Sequence, residues 1–128
     1  MITAAVCTTF KRDVLALAGE VKIALYTAAA SLSKATTAYS PAHEVVGAGY
    51  TPGGLVLTGL LTAIEGDSAG LIWSDPIWPT ATITARGALV YHASKGNKAV
   101  AVLDFGEDVT STHGRFTVAL PAPVVRLT

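Results

Sequence analysis

The chain has 128 residues, of which 51% are hydrophobic and only 14% are charged, and its nine basic and nine acidic side chains cancel. This length predicts one domain with its own core, and the neutral balance disfavours a nucleic-acid binder, which normally carries a basic surface. A small monomer with so little net charge is prone to associate. We therefore expect copies of the chain or a partner protein to cover much of its surface.

The N-terminal residues predict a short helix over about 9–18. Phe10, Val14 and Leu17 recur at helical spacing, a threonine precedes them as an N-cap, and Gly19 suits the C-terminal end. Charged residues interrupt the apolar runs here, unlike in a signal peptide. No run in the chain reaches the roughly 18 apolar residues of a membrane span. We expect an unprocessed protein that does not enter a membrane.

Eight short runs of apolar or alternating residues follow, and they predict strands separated by turn formers. They cover residues 21–28, 44–50, 55–64, 69–74, 82–92, 99–105, 115–120 and 124–127. In the first run Val, Ile and Leu alternate with Lys, Ala and Tyr, so the two sets should occupy opposite faces. Pro76 and Pro79 disfavour a regular strand before the fifth run. Residues 29–42 and 106–114 predict loops.

Residues 82–92 and 99–105 predict a β-hairpin, which is the clearest structural pattern in the chain. Alternation assigns two faces to its first strand. One face has Ile83, Ala85, Gly87, Leu89 and Tyr91, and the other has Thr82, Thr84, Arg86, Ala88, Val90 and His92. The connecting residues 93–97 contain Gly and Asn, which accept the positive φ of a tight turn. We expect Leu89 and Leu103 to lie in the core.

Together these elements predict a mainly β fold, either a β-sandwich or a barrel, with a jelly-roll-like topology as one option. The expected architecture is about eight short strands with one short N-terminal helix. We expect residues 1–128 to form a single β-sandwich domain. Strand order does not follow from periodicity.

No catalytic, cofactor or metal site is predicted. Asp104-Phe105-Gly106 matches a protein-kinase tripeptide, but the other kinase motifs are missing. The glycines of residues 47–54 lack the spacing of nucleotide-binding loops. Asp104, Glu107, Asp108 and His113 share a polar segment without the spacing of a calcium loop. The single cysteine, Cys7, has no neighbouring base to activate it, and we expect it to be a small core residue.

Three aromatic residues, Trp73, Trp78 and Tyr91, are candidates for an interface. Aromatic side chains fill cores and subunit contacts more often than ligand grooves. A glycan-binding groove lined by the same residues is the alternative.

Several segments resemble a family of small virion structural proteins of tailed bacteriophages. They are KIALYT from Lys22, Glu44-Val45, Gly49-Tyr50-Thr51, Gly53-Gly54, TITARGALVY, NKAVAVLDFG and the C-terminal stretch that includes Phe116-Thr117-Val118. The resemblance extends from about Thr9 to the C-terminal region. It implies a component of the virion, assembled in the host cytoplasm, and not an enzyme. It carries over no functional residue.

Within that family we expect a capsid cement or decoration protein, which would act as a homotrimer and contact the major capsid protein or another virion protein. A neck, tail-adaptor or fibre-base component is the first alternative. A glycan-binding module is the second. We expect no nucleic-acid partner.

Overall fold

The computed structural model describes residues 20–66, 68–121 and 124–127, and this part of the chain is mainly β with antiparallel strand pairing. The strands are β1 Val21–Tyr26, β2 Leu55–Val56, β3 Leu61–Glu65, β4 Ser68–Ile72, β5 Ile77–His92, β6 Lys98–Thr117 and β7 Val125–Leu127. A single turn of 3-10 helix, Ala93–Lys95, joins β5 to β6. The helix predicted over residues 9–18 lies outside the described residues.

The strands form two sheets. The four-stranded sheet has the order β2-β1-β5-β6, and the three-stranded sheet has the order β3-β4-β7. β1 pairs with β5 along its whole length, from Val21 opposite His92 to Tyr26 opposite Gly87. These two strands therefore occupy the middle of the larger sheet. Apolar clusters cover these strands on both faces, which explains why the sequence there is apolar on both.

The main apolar cluster contains residues of both sheets. β1 contributes Val21, Ile23 and Leu25, and β4 contributes Leu71. Other buried members are Val45, Tyr50, Leu57, Trp73, Trp78, Ala81, Ile83, Ala85, Ala88, Val90, Phe116 and Val118. The alternation of β1 is confirmed, because Ala24 and Tyr26 belong to a separate cluster on the opposite face.

That second cluster is formed by Ala24, Tyr26, Leu89 and Tyr91. The loop that follows β1 packs against it through apolar side chains that include Leu32 and Tyr39. The loop predicted over residues 29–42 is confirmed, and it covers the face of the large sheet that points away from the main cluster.

The predicted hairpin is confirmed, but its strands are longer than expected. The turn residues Gly96 and Asn97 have φ of 67° and 58°, as the sequence predicts. β5 has 16 residues and β6 has 20, so the described residues contain seven strands, two of them long. The loop predicted over residues 106–114 is wrong, because it belongs to β6. Its threonines are β-branched and suit an exposed strand face.

The predicted faces of the hairpin are wrong beyond its midpoint. Ala85 pairs with Val109 but Gly87 pairs with Asp104, so residues 105–108 bulge opposite a single residue of β5. Such an irregularity changes the phase of alternation. Ala85 and Ala88 consequently share the main cluster. Leu89 lies on the opposite face, whereas Leu103 packs, partly buried, against the main cluster.

Candidate functional site

A buried carboxylate, Glu44, lies among the chain's four tyrosines. Glu44 Oε1 accepts a hydrogen bond from the Tyr39 hydroxyl at 2.6 Å. Its Oε2 accepts one from the Tyr50 hydroxyl at 2.5 Å and one from the Gly53 N–H at 2.8 Å. Tyr26 and Tyr91 complete the group, which we call the Glu44 cluster: Glu44, Tyr26, Tyr39, Tyr50 and Tyr91.

The outer two tyrosines bind the loop backbone on either side of Glu44. The Tyr26 hydroxyl donates to the Ser40 carbonyl at 2.6 Å, and the Tyr91 hydroxyl donates to the Gly53 carbonyl at 2.6 Å. Since Tyr26 lies on β1 and Tyr91 on β5, both bonds connect the long β1–β2 loop to the central strands.

Further contacts fix the same loop. The Tyr50 hydroxyl accepts a hydrogen bond from the Leu25 N–H at 3.0 Å, and the Tyr39 ring stacks on Tyr91 with centroids 4.8 Å apart. The Val45 N–H donates to the Leu25 carbonyl at 2.9 Å. The Glu44 cluster thus ties residues 39–53 to the middle of the larger sheet.

Burial raises the pKa of all four tyrosines. Desolvation is the largest cause in each, and it raises the pKa of Tyr26 to about 12. Hydrogen bonding to Glu44 adds to the increase in the pKa of Tyr39 and Tyr50, because the neutral phenol is the form that donates. The pKa of Tyr91 is also raised, by burial and then by the negative charge of Glu44. All four hydroxyls therefore remain protonated donors at neutral pH.

The chemistry of this cluster is structural. Glu44 is buried, with 8% of its surface exposed, and three donors occupy its two oxygens. A general acid or base must reach a substrate proton, which this carboxylate cannot do while the loop is in place. The cluster holds a loop and does not present a reactive group.

Sequence reasoning missed Glu44, although Tyr39, Tyr50 and Gly53 lie only five, six and nine residues from it in the same loop. Their spacing does not show that the loop folds so that these groups meet at one carboxylate, and Tyr91 joins them from the distant strand β5. The local signal is an acidic residue directly before the apolar pair Val45-Val46, with a tyrosine on either side.

The aromatic residues predicted for an interface are all inside the protomer. Trp73, Trp78 and Tyr91 are 4%, 2% and 3% exposed. Trp78 packs against Tyr50 and, edge to face, against Phe116, with centroids 6.0 Å apart in both pairs. Its Nε1 is buried with no hydrogen-bond partner. These three side chains therefore offer almost no surface to a glycan or to another subunit.

The polar residues near the hairpin bulge make only local contacts. Asp104 accepts a hydrogen bond from the Gly106 N–H at 2.9 Å, Asp108 lies 3.8 Å from the exposed Arg86, and the His113 N–H donates to Thr82. Among the described residues no group of three or more His, Cys, Asp or Glu side chains is arranged to hold a metal ion. Cys7 lies outside the described residues.

Two shallow cavities flank the hairpin. One, of about 280 Å³, lies between the β1–β2 loop and the bulge and has Arg86 and Asp104 in its wall. The other, of about 320 Å³, is lined mainly by threonine hydroxyls of β5 and β6. Several of those hydroxyls are already bonded within the protein, such as Thr84 to Thr110 at 2.9 Å and Ser111 to the Ala81 carbonyl at 2.8 Å. Neither cavity collects several charged groups around one point.

Seven large apolar side chains are exposed on the surface of the described residues. They are Val46, Val56, Leu60, Leu61, Ile64, Ile77 and Val109. Val46 is 93% exposed and Leu61 is 65% exposed. Single apolar residues on a surface are ordinary, but here they accompany a chain with few charges. Among the described residues, these side chains are exposed apolar surface, whereas the predicted aromatic ones are buried.

Comparisons of the chain with protein-family models, curated proteins and solved structures find no match. No helix among the described residues has the length and hydropathy needed to cross a membrane.

Proposed function

We propose that the chain is a structural protein of a tailed-bacteriophage virion, and that it acts as a capsid cement or decoration protein. The observation that carries the proposal is the set of exposed apolar side chains on a protein with few charges and no net charge. Such a surface gains free energy when it is covered, at roughly 25 cal/mol for each Å² of apolar area removed from water. The resemblance of the strand segments to small virion proteins supports the same function.

The mechanism of cementing would be attachment of an oligomer where capsid subunits meet. Each copy adds a contact that shell subunits lack on their own, and an oligomer binds several of them at once. Repetition of one modest interface then raises the stability of the particle by multivalency. We propose a homotrimer, with the major capsid protein or another virion protein as the second partner.

The proposed fold is a β-sandwich with a jelly-roll-like topology in a single domain. Its support is the main apolar cluster, in which Ile23 and Val90 of the larger sheet join Leu71 of the smaller one. The rigid, loop-covered sheet would present the exposed residues in fixed positions.

Copy number in purified particles tests the proposal. A cement protein should be present in numbers comparable to those of the major capsid protein, measured by quantitative mass spectrometry, and particles lacking it should rupture at a lower temperature. A few copies per particle would instead indicate a neck, tail-adaptor or fibre-base component. Absence from the particle would overturn a virion function altogether.

A glycan-binding function is the weaker alternative, since the aromatic residues that suggested it are buried. Binding of the protein to a glycan array would support this function if a Trp78→Ala variant that remains folded no longer bound.

A further inference from the structure

Strand β3 lies at an edge of the smaller sheet. The order β3-β4-β7 gives it one neighbour, β4, and no other described strand pairs with its outer side. An edge strand presents unpaired backbone donors and acceptors, which makes it a template for another strand. The outer edge of β3 is therefore capable of main-chain pairing.

The side chains of β3 add apolar surface on both faces. Leu61 and Ile64 are exposed, and Leu60 directly precedes them. Leu61 is opposite Ile72 of β4 and Ile64 is opposite Ala69, so the two lie on different faces of the sheet. Ala69 is buried, which means that Ile64 extends the inner apolar face outward to the edge. A strand added at this edge would cover both side chains.

The edge of β3 has few of the features with which proteins normally block unwanted pairing, since its one charged residue, Glu65, is the last of the strand. Its first four residues, Leu61-Thr62-Ala63-Ile64, include no charge and no proline, and its register with β4 is regular over five residue pairs. Protected edges are usually short, charged, proline-containing or bulged.

The other described edges are protected in these ways. β2 has two residues and β7 has three. β6 carries charged residues such as Asp104, Glu107 and Asp108, and its pairing with β5 is interrupted by register shifts. Among the described edge strands, β3 is thus the one with regular pairing over five residues and with its single charge, Glu65, at its end.

We propose that the β3 edge is the surface through which the chain pairs with a second copy of itself. The proposal deepens the proposed function, on whose homo-oligomer it rests, by naming the contact between copies. Charge supports a second copy as the occupant: residues 60–64 carry none, so two identical edges meet without repulsion, and the whole chain is neutral. The same neutrality gives a polyanion or an anionic lipid surface nothing to bind.

Light scattering after size-exclusion chromatography of the full chain tests the proposal with a matched pair of variants. The wild-type protein should be oligomeric at micromolar concentration, and Leu61→Lys should shift it to the monomer. Val46→Lys makes the same change at a more exposed site in a loop, and it should leave the oligomer intact. Both residues are exposed, so both variants should fold with the wild-type circular dichroism spectrum. Loss of the oligomer removes its contribution to stability, so the melting temperature of Leu61→Lys should fall to a value that does not depend on protein concentration.

The molar mass also reports the arrangement. Two copies indicate β3 paired with β3 about a two-fold axis. The proposed trimer cannot close through β3–β3 pairs alone, so three copies indicate that β3 pairs in a ring with one of the protected edges. A wild-type monomer overturns the proposal, as does an oligomer that survives Leu61→Lys. Dissociation by both variants overturns it too, because the effect would not be specific to β3.

Hydrogen exchange at residues 61–64 separates a second copy from other occupants. Protection that grows with protein concentration supports the proposal. Protection that is independent of concentration shows that a segment of the same chain covers the edge, and it overturns the proposal. A protein that pairs through β3 but is missing from particles would leave this inference standing while the proposed function fails.

Discussion

At the scale of single residues, the Tyr50 hydroxyl makes two buried hydrogen bonds at once. It donates to Glu44 and accepts from the Leu25 N–H, both in buried surroundings. Tyr39 makes a single hydrogen bond to the same carboxylate and is only partly buried. Removal of the Tyr50 hydroxyl would thus take a hydrogen-bond partner from both Glu44 and the Leu25 N–H, whereas removal of the Tyr39 hydroxyl would take one from Glu44 alone.

We expect Tyr50→Phe to lower the free energy of unfolding by about 2 kcal/mol, the usual cost of leaving buried partners without a hydrogen bond. Tyr39→Phe, the matched control, should cost less, because water can reach the freed oxygen more easily. Urea denaturation of both variants measures the difference. Equal losses would show that the Leu25 N–H finds another acceptor.

At the scale of strands, the position of β2 beside β1 depends on Gly54. Its N–H closes the preceding turn on the Thr51 carbonyl at 2.9 Å, and its φ is +81°. A Cβ at this position would lie 1.7 Å from the Ile23 carbonyl oxygen, which is far inside contact distance. Only glycine allows β2 to approach β1 so closely.

Gly54→Ala should therefore displace β2 and lower the free energy of unfolding by well more than backbone strain alone would. Gly96→Ala is the control: its φ is +67°, yet no atom lies within 4 Å of the added Cβ. The free energy of unfolding of that variant should fall only by the strain of a left-handed residue, about 1–2 kcal/mol. Thermal melts compare the two, and similar melting temperatures would contradict the close packing of β2.

The hairpin offers a second test at this scale. Leu89 is fully buried in the second apolar cluster, so Leu89→Asp places a charge without a partner among apolar side chains, and we expect an insoluble or unfolded protein. Leu103→Asp should be milder, since Leu103 is only partly buried. Lys95→Ala in the turn should stay within about 0.5 kcal/mol of the wild type. Soluble expression and urea denaturation rank the three.

The strands were predictable from the sequence where alternation is unbroken. β1, the hairpin turn and the buried face of Phe116 and Val118 follow from periodicity alone. The phase change at residues 105–108 did not, because a bulge depends on how two strands fit together. The Glu44 cluster was equally hidden, since its hydrogen bonds depend on how the β1–β2 loop folds over the central strands, which periodicity does not report.

At the scale of the whole molecule, the tyrosines make the free energy of unfolding depend on pH in the alkaline range. In the unfolded chain they lose their protons near the ordinary pKa of 10.0, whereas folded Tyr26 does so only near about 12. The stability from these protonated hydroxyls is therefore complete below pH 10 and is lost as the pH rises toward 12.

We expect the tyrosinate absorbance to appear together with the loss of circular dichroism, as one cooperative transition above pH 10. All four tyrosines have a raised pKa, so none should titrate early. A tyrosine that ionises at its ordinary pKa in the folded protein would show that the Glu44 cluster is open to solvent.

The sheet order has a consequence for how the chain is made. β1 is synthesised well before its main neighbour, the distant strand β5, in which His92 lies opposite Val21. During translation this apolar strand remains without that partner until residue 92 has left the ribosome. The β5–β6 hairpin closes around the short turn at Ala93–Lys95 and can form first, after which β1 joins it. Such non-local closure is slow, on the order of milliseconds to seconds, and it makes the nascent chain most vulnerable to aggregation just before β5 emerges.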